Sequence, residues 1–141
     1  MKKFAGVILV LLVLTSFSGI KDCDGFKSCP VDLSQYSLVK SYRLSLESNK
    51  YVEPKARFSI MLSKGVRYRI GVCSNRDYSK SPLTFTLFDN YGEVASNIDE
   101  DKGKFFEAAE YECKKTGVYY ITFAFANGKS GCGAANISIK K

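Results

Sequence analysis

Residues Leu83–Phe125 read LTFTLFDNYGEVASNIDEDKGKFFEAAEYECKKTGVYYITFAF, and this stretch decides the fold. Phe85 and Leu87 share one face of a first strand, and Tyr119, Ile121, Phe123 and Phe125 share one face of the last. Period-two alternation of large apolar or aromatic residues is what a half-buried β-strand requires. Between them lie an Asp89-Asn90-Tyr91-Gly92 turn, a second strand, an acidic loop, a third strand and a Lys115-Thr116-Gly117 turn. Each reversal carries a glycine where the backbone needs one, so the block reads as four antiparallel strands.

The same pattern extends outward. Tyr36–Leu46 is a strand with Leu38, Tyr42, Leu44 and Leu46 as its apolar members. Arg57–Leu62 places Phe58, Ile60 and Leu62 on one face, and Ser63-Lys64-Gly65 turns the chain. Val66–Cys73 then points Val66, Tyr68, Ile70 and Val72 inward, with Arg67 and Arg69 outward. Ser74–Pro82 is a polar loop, Asn127–Gly133 is glycine-rich, and Ala134–Ile139 closes the sheet through Ile137 and Ile139. No segment holds a helical period. About eight short strands at this spacing predict an all-β, antiparallel two-sheet β-sandwich, jelly-roll-like in plan.

The N-terminus has the form of a secretory signal. Lys2 and Lys3 precede an apolar run from Phe4 to Leu14, and Ser16 and Ser18 suit cleavage after residue 18. The run is shorter than the ~20 residues a spanning helix needs. Cys23 follows Ile20-Lys21-Asp22, not the small residue that lipid modification requires. The expected organisation is a signal at 1–18, a turn-rich lead-in tethered by disulfide at 19–34, and one sandwich domain at 35–141. No membrane span remains after the signal is removed, and the product is secreted, periplasmic or at the cell surface.

All five cysteines (Cys23, Cys29, Cys73, Cys113, Cys132) lie beyond the signal, in a compartment that permits disulfides. An odd number leaves at least one thiol free or paired between chains. There is no histidine and no C-x-x-C, so a zinc site is not indicated, and imidazole-dependent nucleophile systems are excluded. Glu107, Glu110 and Glu112 lie close together, but a solvated strand edge accounts for them and no motif supports catalysis. No cofactor is expected beyond a structural calcium. Its candidate ligands are Asn97, Asp99 and Asp101, against the alternative of a solvated acidic turn.

The formal charge of +7 is unevenly spread. Ten basic residues fall between Lys40 and Lys80 against Glu47, Glu53 and Asp77; from Asp89 to Cys113 eight acidic residues face Lys102 and Lys104. Such asymmetry marks an electropositive face, a dipolar self-association surface, or strands with charges alternating outward. Tyr36, Tyr42, Tyr51, Tyr78 and Tyr91 fall in loops or at strand edges. With the arginines they supply a candidate ligand-binding set of Tyr78, Tyr91, Arg67, Arg69 and Arg76. Nucleic acid is not an expected partner, since the basic residues carry no nucleic-acid motif.

FSIMLSKGVRYRIGV, LTFTLFDNYGEVASN and CKKTGVYYITFAF together resemble the core of the bacterial pre-peptidase C-terminal domain. That family has a strand ending in a small-residue-Gly turn, an L-x-L-[FY]-D-x-x-G-x-x-[VL]-A-S segment and an A-x-x-x-G-x-Y-Y-[VI] segment. The match runs over roughly residues 57–139. GOLD domains are similar in the F-x-x-[FY]-D-x-x-G and K-x-G-x-Y segments. The resemblance implies a jelly-roll-like, non-enzymatic accessory domain with carbohydrate or protein ligands. It also implies that Cys73 and Cys132 lie at one end of the sandwich and bond to each other. Cys113 is then a buried thiol or a partner for Cys23 or Cys29, which otherwise pair together. The expected function is a non-catalytic module binding an extracellular glycan. The alternative is a protein-interaction subunit or inhibitor of a secreted enzyme or surface complex. That alternative predicts an exposed apolar patch or an open edge strand.

Overall fold

A computed structural model describes residues 23, 28–47, 51–74 and 81–141; the expected signal lies outside them, as do Arg76 and Tyr78. The strands among the described residues are β1 (Tyr36–Leu46), β2 (Ala56–Leu62), β3 (Arg67–Ser74), β4 (Leu83–Phe88), β5 (Glu93–Ser96), β6 (Ile98–Asp99), β7 (Lys104–Phe105), β8 (Ala108–Glu112), β9 (Gly117–Phe125) and β10 (Gly131–Lys140). Two antiparallel four-stranded sheets, ordered β1-β10-β3-β8 and β2-β9-β4-β5, pack face to face, and β6-β7 forms a small ladder of its own. The pairing is nested: β1 with β10, β2 with β9, β3 with β8, β4 with β5. The chain is thus one long hairpin folded over on itself, which is a jelly roll. Its tip is the Asp89–Gly92 turn, where Asp89 Oδ1 accepts from the backbone N–H of Tyr91 (2.7 Å) and Gly92 (2.9 Å).

The core lies between the sheets. Leu44, Ile70 and Ile137 from the first sheet meet Phe85, Ile121 and Phe123 from the second, all buried. No helix among the described residues is long and apolar enough to cross a membrane.

Three expectations are corrected by the structure. Leu38 does not share a face with Tyr42, Leu44 and Leu46: a bulge between Leu38 and Lys40 shifts the register. One extra residue turns every later side chain to the other face, so Leu38 is exposed while Tyr42 turns inward. Tyr42 is therefore a core residue and not a ligand candidate, its ring 4.6 Å from that of Phe58. The loop after β5 contains the β6–β7 ladder, so the block Leu83–Phe125 holds six strands, not four.

The third correction concerns the cysteines. Cys73 bonds to Cys29 and Cys132 to Cys23, and Cys113 is a buried free thiol. The expected Cys73–Cys132 bridge is not formed. The two residues do lie at one end of adjacent strands, but Cys73 is in register with Ala134, two positions beyond Cys132. Diagonal neighbours sit about 7–8 Å apart, whereas a disulfide needs Cβ atoms about 3.8 Å apart. Each cysteine bonds instead to the lead-in, which is thereby stapled to the outer side of the first sheet. The Cys29 sulfur, with no proton to donate, rests 3.0 Å from the Ala134 carbonyl oxygen.

Cys113 packs beside Tyr119, whose hydroxyl donates to the Lys115 carbonyl at 2.7 Å. The Cys113 sulfur beside it, burial and the neighbouring Tyr111 together hold the Tyr119 hydroxyl well above the usual tyrosine range. A group whose pKa is raised on folding contributes stability that is complete below its unfolded pKa and lost as pH rises beyond it. Stability is therefore expected to fall above about pH 10, and Tyr119→Phe to flatten that fall. Urea midpoints measured from pH 8 to pH 11 check this; parallel curves for the two proteins would refute it.

Candidate interaction surface

Asn97 comes directly after β5 and organises the segment from there to β8. Its side chain is fully buried: Oδ1 accepts from Phe85 N–H at 2.7 Å, and Nδ2 donates to the carbonyls of Leu83 (3.0 Å) and Phe106 (2.9 Å). Phe106 N–H donates to the Asn97 carbonyl at 2.9 Å. The carboxamide thus stands in for a missing rung of sheet and joins residues 97–106 to the first residues of β4.

From this base β6 and β7 rise as a short hairpin, with Ile98 opposite Phe105 and Asp99 opposite Lys104. Asp99 Oδ1 accepts from Lys102 N–H at 3.2 Å, and its other oxygen lies 3.9 Å from the Lys102 ammonium. Gly103 closes the turn at φ +60°, where a glycine carries no Cβ penalty. The hairpin holds two consecutive phenylalanines in solvent, Phe105 at 42% and Phe106 at 50% exposure. Asp99, Glu100, Asp101 and Glu107 flank them and outnumber Lys102 and Lys104 in the same hairpin. The hairpin bridges β5 and β8, the strands that end their respective sheets on one lateral edge.

Of the residues expected to bind calcium, Asn97 is committed to the backbone on both of its polar atoms, and Asp99 caps its own turn. Among the described residues, no three His, Cys, Asp or Glu side chains converge as a metal site would require.

Arg67 and Arg69 do share the outer face of β3, as the alternation predicts. Arg67 lies 3.8 Å from Glu110 and 3.9 Å from Glu112 on the neighbouring strand. The Arg69 guanidinium sits over the Tyr36 ring at 5.4 Å, and the Tyr36 hydroxyl donates to Glu110 at 3.3 Å. Exposed pairs of this kind contribute at most about 1 kcal/mol; their effect is to neutralise the face. Tyr91 is 90% exposed at the β4–β5 turn, in the other sheet. The structure does not join it to the two arginines.

Phe105 and Phe106 did not figure among the expected site residues. Their signal was present in the sequence all the same: two adjacent phenylalanines on a strand cannot both face one core.

The molecule belongs to the class of disulfide-stapled jelly-roll sandwiches, with no histidine chemistry and with a polar first sheet face. No family model matches the chain, and no curated protein matches its sequence. Solved structures do match. The pre-peptidase C-terminal domain of a Bacillus anthracis collagenase superposes with a TM-score of 0.53 at 14% identity, over 71% of this chain and 89% of that one. The resemblance read from the strand and turn motifs is therefore shared fold. PliG of Aeromonas hydrophila, a periplasmic inhibitor of g-type lysozyme, gives a TM-score of 0.49 at 11% identity, over 74% and 86% of the two chains.

Proposed function

We propose that this protein is an extracytoplasmic, non-catalytic module that docks a protein partner through the β6–β7 hairpin. Phe105 and Phe106 would enter an apolar cleft whose rim is basic. The observation that carries this reading is the pair of exposed phenylalanines on a hairpin locked to the sandwich by Asn97. Aromatic side chains dominate interface cores, and a rigid presenting loop lowers the entropy lost on binding. The acidic residues around them select a cationic partner surface. Two disulfides suit an oxidising compartment.

The glycan reading has less support. Its candidate residues are dispersed, with Arg67 occupied by two carboxylates and Tyr91 on a distant turn.

The test is affinity capture of extracytoplasmic proteins on the wild-type chain, on Phe105→Ser/Phe106→Ser and on Tyr91→Ala. A basic protein retained by wild type and Tyr91→Ala should bind the double variant at least about 30-fold more weakly, as loss of a hot spot predicts. Capture unchanged by the double substitution would exclude the hairpin. Polysaccharide binding that depends on Tyr91 or Arg67 would return the glycan reading.

A further inference from the structure

Taking the hairpin as a docking element, we infer that a second copy of this chain is among the partners it fits. The two lateral edges of the sandwich are complementary. One edge is formed by β5 and β8 with the hairpin between them, the other by β1 and β2. The segregation of charge along the sequence thus becomes a segregation in space. The hairpin edge carries Glu93, Asp99, Glu100, Asp101 and Glu107 against Lys102 and Lys104, and so stays net acidic, whereas the far edge carries Lys40 on β1 and Arg57 on β2. Glu53 on that side is occupied by Lys55 at 3.5 Å, as Asp99 on the hairpin is by Lys102 at 3.9 Å, which leaves Glu93, Glu100, Asp101 and Glu107 as the acidic groups of the hairpin edge.

The apolar groups match as well. The β1 bulge leaves Leu38 and Val39 adjacent and exposed, at 50% and 46%, and Met61 on β2 is 62% exposed. Each edge therefore presents adjacent exposed apolar side chains set among charges, with opposite signs on the two edges.

Continuation of the sheet from one copy to the next is not the expected contact. The bulge and the charges on β1 are features that blunt an edge against strand addition. Contact through side chains is what remains: Phe105 and Phe106 of one copy against Leu38 and Val39 of the next. Because the two surfaces differ, the association is heterologous and propagates head to tail. It is also driven largely by charge, so salt should suppress it.

Sedimentation velocity on the oxidised protein, across a concentration series, tests the inference. The weight-average coefficient should rise with concentration at about 0.02 M salt and return to the monomer value at about 0.5 M, where the Debye length is only a few ångströms. Lys40→Glu/Arg57→Glu and Phe105→Ser/Phe106→Ser should each sediment as monomer at all concentrations, with circular dichroism confirming the fold. An equimolar mixture of the two variants should form a species that stops at two copies, since each supplies one intact edge. A wild-type chain that stays monomeric at low salt overturns self-association, as does association that survives in both variants. The hairpin reading is judged separately by the capture assay: a hairpin-dependent basic partner alongside a monomeric chain sinks only the self-association.

Discussion

Asn97→Ala is expected to destabilise the protein by about 3–5 kcal/mol, because it leaves two buried backbone groups and one part-buried one unsatisfied at about 1–3 kcal/mol each, less whatever relaxation and water recover. The groups are Phe85 N–H and the carbonyls of Leu83 and Phe106, all held at 2.7–3.0 Å by one fully buried carboxamide. Asn97→Asp should be at least as damaging. It removes the donor to both carbonyls and sets a carboxylate where desolvation opposes its charge. Against a total domain stability of about 5–15 kcal/mol, either change consumes a large share. Urea unfolding should show a lower midpoint with an unchanged slope. A loss below about 1 kcal/mol would mean that Asn97 is not the staple described. The same substitution should free the hairpin from β4, raising amide exchange at residues 98–106 before the rest of the sandwich responds. Partner binding through Phe105 and Phe106 should then weaken although neither ring has been touched.

Much of this architecture is legible without coordinates, and the reason is local. The Asp89–Gly92 and Lys115–Gly117 turns carry their own chemistry, and the strands beside them alternate cleanly, so the block from Leu83 to Phe125 announces a folded hairpin. Arg67 and Arg69 read correctly as outward because Tyr68 and Ile70 must face the core. What stayed hidden depends on contacts between distant segments. Nothing in Leu38-Val39-Lys40 marks a bulge, yet that one residue exposes Leu38. Asn97 in an acidic loop has the same appearance as a ligand or as a staple; burial alone separates the two, and burial is a property of the assembled sandwich. The cysteine pairing turned on a two-residue offset between β3 and β10, which strand order alone does not supply. Charge shows the same division. The sequence separates basic from acidic residues, but only the nested strand order sends them to opposite edges.

Removing the disulfides should have the largest effect on stability. Cys23–Cys132 closes a separation of 109 residues and Cys29–Cys73 one of 44. On the chain-entropy account the two closures are worth about 5 and about 4 kcal/mol respectively. Cys23→Ser/Cys132→Ser should therefore destabilise more than Cys29→Ser/Cys73→Ser if entropy governs. No such order is expected if packing governs, because each bridge has one buried half, Cys132 in the first and Cys29, with its Ala134 contact, in the second. Losing both bridges approaches the whole stability of a domain this size, so the quadruple variant should be unfolded at 37 °C. Unfolding curves for the two pair variants decide between entropy and packing. The connectivity has its own check. Under denaturing, non-reducing conditions one thiol per chain, that of Cys113, should react with an alkylating reagent. Proteolytic fragments should then join Cys23 to Cys132 and Cys29 to Cys73. A fragment joining Cys73 to Cys132 would require those residues to be in register across β3 and β10, and would refute the pairing of Ala134 with Cys73 that holds them apart.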